Sequence, residues 1–256
     1  MAQQMPALFI GHGNPMNALL VNPYTKQWAA LGTANPKPKA ILSVSAHWYI
    51  QDAAITVSTA PKTIHDFGGF PRELYQVQYT ALGDPKLAAR VQKLLAPLLV
   101  RRDERWGLDH GTWSILCHMY PHADIPVVQL SIDETQPPSF HFDVGRRLAP
   151  LREEGVLILG SGNVVHNLHP MLGAGMRRSP TTGLSHLKPE FVSCFSQRTT
   201  SHSLITRISS AAKPISLFQP PIITFLCSTL QEPARSRSLS HSQLKEWTVD
   251  QFQCLR

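Results

Sequence analysis

Twelve histidines are spread through 256 residues, and three of them follow apolar, strand-like runs. His12 comes after Pro6–Ile10 in Gly11-His12-Gly13-Asn14-Pro15. His47 comes after Ala40–Ser45 in Ser45-Ala46-His47-Trp48, and His166 after Val156–Leu159 in Gly160-Ser161-Gly162-Asn163-Val164-Val165-His166-Asn167. An imidazole exchanges a proton near neutral pH and is the commonest metal-binding side chain. Taken alone, each of these histidines reads as a polar strand cap satisfied by backbone. Three at equivalent strand ends point instead to one shared metal ion. Gly11 and Gly13 let the backbone turn tightly beside a bound group. Asn163 and Asn167 can supply the hydrogen bonds that fix an imidazole's tautomer. The chain has no HExxH motif, which removes the usual support for a zinc peptidase.

Two further histidines have suggestive surroundings. His110 lies in Trp106-Gly107-Leu108-Asp109-His110-Gly111-Thr112-Trp113, a segment that opens a helix, with Asp109 as a candidate N-cap. If Asp109 is only a cap, His110 is incidental. His65 lies in Ile64-His65-Asp66-Phe67-Gly68-Gly69-Phe70-Pro71, whose glycines and aromatics suit either a wall over a flat ring or an ordinary packed loop. His118, His122, His141 and His169 read as surface or helix residues.

These positions need a scaffold that brings strand ends together. Up to about Gly175 the chain alternates apolar runs with helical patterns, the signature of a mostly parallel sheet flanked by helices. Strands are expected at Pro6–Ile10, Ala40–Ser45, Val127–Ile132 and Val156–Leu159. One helix is expected to start at Asp84-Pro85, with Leu87, Val91, Leu94 and Leu95 on its buried face, and another to cover Phe140–Glu154. In such an α/β sheet the carboxyl ends of parallel strands share one edge, where ligands bind.

Bulk properties narrow the partners. No apolar run is long enough to span a bilayer, so no membrane partner is expected and the chain is assigned to the cytoplasm. The four cysteines, Cys117, Cys194, Cys227 and Cys254, have no pair spacing and read as free thiols. The net charge of +7 arises mostly after Met176, where ten Lys/Arg meet four Asp/Glu. There it comes as scattered arginine among serine, without the aromatic platforms of a nucleic-acid surface, so no nucleic-acid partner is expected.

The segments MPALFIGHGNPMNAL, AILSVSAHW, TIHDFGGFP, WGLDHGTW, IPVVQLSID and GSGNVVHNL together resemble the DODA-type branch of the class III extradiol ring-cleavage dioxygenases, over about residues 5–175. The resemblance implies an α/β sandwich with a mononuclear metal at the sheet edge. It implies that His12 and His47 bind the metal, and that His166 is either a third ligand or a base beside it. It further implies His110 as the acid/base and His65 as a substrate-pocket residue. The implied reaction is ring opening of a catechol such as DOPA by O₂, with Fe(II) as working metal and Zn(II) as an alternative occupant. A metal-dependent hydrolase or other non-redox enzyme on the same histidines is the rival reading, and an inactive altered family member is a third.

The resemblance divides the chain into a catalytic domain, 1–176, and a tail, 177–256. Fourteen of the serines fall after Met176, against seven before it, and no glycine follows Gly183. The family's late motifs, TPxHYLPLL and EGIEYGSISM, are absent. With free choice of synonymous codons read from the third base, Gln219–Leu230 spells TPDHYLPLLY. In the same frame Ser179–Leu184 permits PYDWA and Leu244–Cys254 permits EGMDGRSISM. The tail is therefore read as out-of-frame translation that starts between His166 and Ser179, with poor folding expected beyond Met176.

Overall fold

The computed structural model describes residues 4–162. Six strands form one sheet in the order β1-β6-β2-β5-β3-β4: β1 Ala7–Ile10, β2 Ala40–Ile50, β3 Ala53–Thr56, β4 Val100–Asp103, β5 Val127–Asp133 and β6 Val156–Ser161. Strands β1, β6, β2 and β5 run parallel, so their carboxyl ends meet on one edge. Strand β3 turns against β5 and carries β4 parallel to itself. Every residue of β1, β5 and β6 is buried, because helices cover both faces of the sheet. That is why β1 and β6 read as nearly continuous apolar runs rather than as alternation.

The two faces pack separate cores. Phe9, Leu42, Val44, Leu130 and Ile158 face helices α3 (Pro85–Leu95) and α5 (Pro138–Leu148), meeting Leu87, Val91, Leu95, Val144 and Leu148. Their sequence neighbours Leu8, Ile10, Ile41, Leu157 and Leu159 pack on the other face with Trp28 of α1 (Pro23–Ala34) and with Trp113, Ile115, Leu116 and Met119 of α4 (His110–Met119). A short helix, α2 (Arg72–Tyr75), completes the set. The helix starts are locally encoded. Asp84 Oδ1 accepts from the amides of Lys86 and Leu87, with Pro85 in the first turn. Asn22 and Thr25 form a reciprocal capping box.

All four expected strands and both expected helices are present, but several bounds differ. Strand β2 continues to Ile50, so His47 lies inside the strand instead of following it. Helix α5 begins at Pro138 and gives way at Ala149–Arg152 to a tighter 3₁₀ turn. Strands β3 and β4 and helix α1 were not foreseen. The tail, 177–256, and His166 lie outside the described residues.

Candidate metal centre

Each histidine reaches the sheet edge by a different device. Gly13 takes a left-handed φ of 62° just after His12, and Asn17 Nδ2 donates to the His12 carbonyl at 3.0 Å, which closes the loop after β1. His47 sits where β2 breaks register: Val44 pairs with Leu130, and Tyr49 is the next residue paired, with Ile132. The extra backbone on β2 bulges there and turns the imidazole toward the edge. Stacking of Trp48 on Trp106, with centroids 5.3 Å apart and planes 7° from parallel, ties this bulge to the loop before α4. His110 is the first residue of α4. Asp109 is indeed its N-cap, accepting from Thr112 N at 3.1 Å, so capping and a place in the site coexist.

The helix can come this close because residue 111 is glycine. A Cβ there would stand 2.6 Å from Ser45 Oγ, 3.0 Å from His47 Cδ2 and 3.2 Å from Ser161 Oγ.

His12, His47 and His110 converge, with one ring nitrogen from each within 4.8 Å of the others. The Nε2 atoms of His12 and His47 are 3.1 Å apart, and the His47 and His110 ring centroids are 3.9 Å apart. The outer nitrogens are engaged. Ser161 donates its hydroxyl hydrogen to the Gly111 carbonyl, so its oxygen accepts from His12 Nδ1 at 2.8 Å. Asp66 lies behind the other two rings, with Oδ2 3.1 Å from His47 Nδ1 and Oδ1 2.8 Å from His110 Nδ1. With every Nδ1 donating, two Nε2 lone pairs face each other at a distance that calls for a cation or a shared proton between them. Neutral imidazoles of this kind suit iron or zinc. The residues present therefore fit a metal ion.

The charges follow from this geometry. Burial lowers the His47 pKa, but the hydrogen bond to Asp66 and the nearby Asp109 and Asp66 charges outweigh it, and the net shift is upward. Burial alone would raise Asp66; its hydrogen bonds with His110 and His47 win and hold it well below the usual carboxylate range. Asp109 is fully buried, and its pKa is raised by that burial, against the opposing His47 charge and the hydrogen bonds from Gln129 and Ser45. Gln129 Nε2 donates to Asp109 Oδ2 at 2.7 Å.

His65 does not join the cluster. Its Nε2 donates to the Val77 carbonyl at 3.0 Å, and its ring packs against Phe67, Tyr75 and Trp113. Phe67 instead presents its ring to His110, with centroids 5.4 Å apart at 81°, so the aromatic loop does border the site. His141 is a helix residue, as expected, but a buried one, and it donates to the Asp133 carbonyl at 3.1 Å. His118 binds the Asn17 carbonyl at 2.7 Å and supports the His12 loop. The sequence reading assigned no role to Asp66, Ser161 or Gly111.

Comparison with known proteins agrees with the motifs. The family described as the catalytic LigB subunit of aromatic ring-opening dioxygenase matches residues 18–208, and the chain belongs to that family. It is 56% identical over 166 residues to the 4,5-DOPA dioxygenase extradiol of Escherichia coli (strain K12), covering 64% of this chain and 61% of that protein. It is 46% identical over 164 residues to the protein of the same name from Beta vulgaris, covering 62% of this chain and 61% of that protein. The chain thus matches only about three-fifths of the length of these relatives. The crystal structure of uncharacterized protein JW3007 from Escherichia coli K12 is similar with a TM-score of 0.71 at 39% identity, covering 88% of this chain and 89% of that one. Among the described residues no helix is long and apolar enough to cross a membrane.

Proposed function

We propose that the 1–176 region is the catalytic domain of an extradiol dioxygenase that opens a catechol such as DOPA with O₂, in the cytoplasm. The observation that carries this reading is the convergence of His12, His47 and His110 with each outer ring nitrogen engaged. His12 and His47 would hold the metal, Fe(II) as the working ion and Zn(II) as an alternative occupant, with His166 as third ligand or neighbouring base. Bound there, Fe(II) supplies a common template for catechol and O₂.

The chain's own residues do the rest. His110, its Nδ1 proton held by Asp66, has Nε2 available to accept a catechol hydroxyl proton and to return it later. Phe67 borders His110 with an aromatic edge suited to a flat ring. Trp48, next to His47 in β2, is buried and stacked on Trp106, which supports the bulge that presents His47.

The tail is part of the same proposal. The family's TPxHYLPLL motif would restore a histidine to the site, and the shifted frame of Gln219–Leu230 spells it. We therefore take the chain as written to be slow or silent and a frame-restored chain to be competent. Both are loaded anaerobically with Fe(II), mixed with L-DOPA and then exposed to air. The restored chain should consume O₂ and form a yellow ring-opened semialdehyde. Bound Fe(II) with no O₂ uptake would favour the non-redox reading instead.

A further inference from the structure

His47 and His110 come from different elements, a strand bulge and a helix start, yet one carboxylate lies behind both. Asp66 Oδ2 is 3.1 Å from His47 Nδ1. Its Oδ1 accepts twice from His110, from Nδ1 at 2.8 Å and from the backbone amide at 3.0 Å. We propose that Asp66 is the positioning residue of the centre. Its two oxygens fix the tautomer and ring angle of both imidazoles at once, so that each presents an Nε2 lone pair inward. The proposal rests on the metal-site reading above, and it extends Asp66 from holding the His110 proton to setting both rings.

Three observations favour positioning over incidental contact. The Asp66 side chain is only 19% exposed, so water competes weakly for its oxygens. The strand-like segment before it is anchored without help from the histidines: Ile64 N donates to Leu108 O at 2.7 Å, Leu108 N to Lys62 O at 2.8 Å, and Trp113 Nε1 to Ile64 O at 2.8 Å. The carboxylate is thus placed by backbone ties, and the rings turn to meet it. A carboxylate is also the one side chain of this length with two oxygens that both accept; an amide offers one. Free histidine in water favours the Nε2–H form, so two rings held as Nδ1–H need a partner such as this.

The test uses the full ¹⁵N-labelled chain without metal. The His47 and His110 tautomers are read by long-range ¹H–¹⁵N correlation in the wild type, Asp66→Asn and Asp66→Ala, and Co(II) affinity is measured by titration. The wild type should show Nδ1–H on both rings. Asp66→Asn should release one ring to the Nε2–H form and Asp66→Ala both, with Co(II) binding about 10–100-fold weaker in each. Asp66→Asn, nearly isosteric, carries the test if Asp66→Ala does not fold. Rings that stay Nδ1–H in Asp66→Asn overturn the proposal, as does a wild type that takes up Co(II) but no more tightly than Asp66→Asn. Tautomers that follow Asp66 in a wild type that takes up no Co(II) support the positioning and sink the metal reading, so the two failures look different.

Discussion

At the scale of single residues, the three converging histidines are not equivalent. His12 and His47 face each other through Nε2 at 3.1 Å, whereas His110 enters from the helix side and shares its carboxylate with His47. We expect His12→Ala and His47→Ala each to abolish tight metal binding, and His110→Ala to retain it while slowing ring opening by roughly 10²–10⁴-fold in a frame-restored chain. Metal analysis after gel filtration, alongside O₂ uptake, separates the roles. Loss of metal in His110→Ala would make that residue a ligand. Gly111→Ala is a sharper probe of spacing, because its methyl would collide with Ser45 Oγ and press on His47 Cδ2. It should weaken metal binding although residue 111 binds nothing; unchanged Co(II) affinity would show that the helix can yield.

His12 and His47 were legible because each comes soon after an apolar run, and His110 because it opens a helix behind Asp109. Asp66 was not, although it stands beside His65 in a motif that drew notice. In an extended segment neighbouring side chains point opposite ways, so one of the pair must turn from the site, and composition does not say which. His65 turns toward Val77.

At the scale of elements, the sequence announced what is buried on both faces and little else. β1 and most of β6 are apolar runs, β5 is buried throughout although Gln129, Ser131 and Asp133 interrupt its apolar residues, and α3 carries its cap and its stripe. Strands β3 and β4 are four residues each, one alanine-rich and the other with two exposed arginines, too short and too mixed to show a period. The end of β2 was misplaced because a bulge breaks the pattern where His47 is presented. On the opposite face of the sheet, His141 of α5 ties that helix to the end of β5. Burial lowers its pKa below 6.5 despite opposing interactions with Asp133 and Gln136. The folded state therefore prefers the neutral ring, and the stability it contributes is present above pH 6.5 and lost as the pH falls through the lower folded value. Urea unfolding at about pH 7.5 and about pH 5.5 should show a larger loss for the wild type than for His141→Gln. Parallel losses would mean that the ring is not held neutral.

At the scale of the whole molecule, identity to the curated relatives extends over 166 and 164 residues, similar in length to the stretch that carries the in-frame motifs. The reading-frame proposal predicts that the codons of Gln219–Leu230 spell TPDHYLPLLY from the third base, with the histidine codon split between Ile222 and Ile223. The gene sequence decides it; codons that spell something else end the idea. Periodicity cannot test the proposal, since an out-of-frame segment would obey no packing rule.

The strand order also has a temporal side. Strand β6 is the last strand in the described chain, yet it lies between β1 and β2, and its Ser161 accepts from His12. On the ribosome, β1 and β2 emerge more than a hundred residues before the strand that must separate them. Until it arrives, two apolar edges stand open to mispairing with each other or with another chain. Such long-range closure is slow by nature, because the loop entropy is lost before the pairing rewards it. A chain released after Asp133, with β1 to β5 all present, should therefore take up no Co(II) and should collect on a chaperone. If that fragment instead binds the ion and stays in solution, the metal pocket forms without its dividing strand, and assembly begins at the histidines.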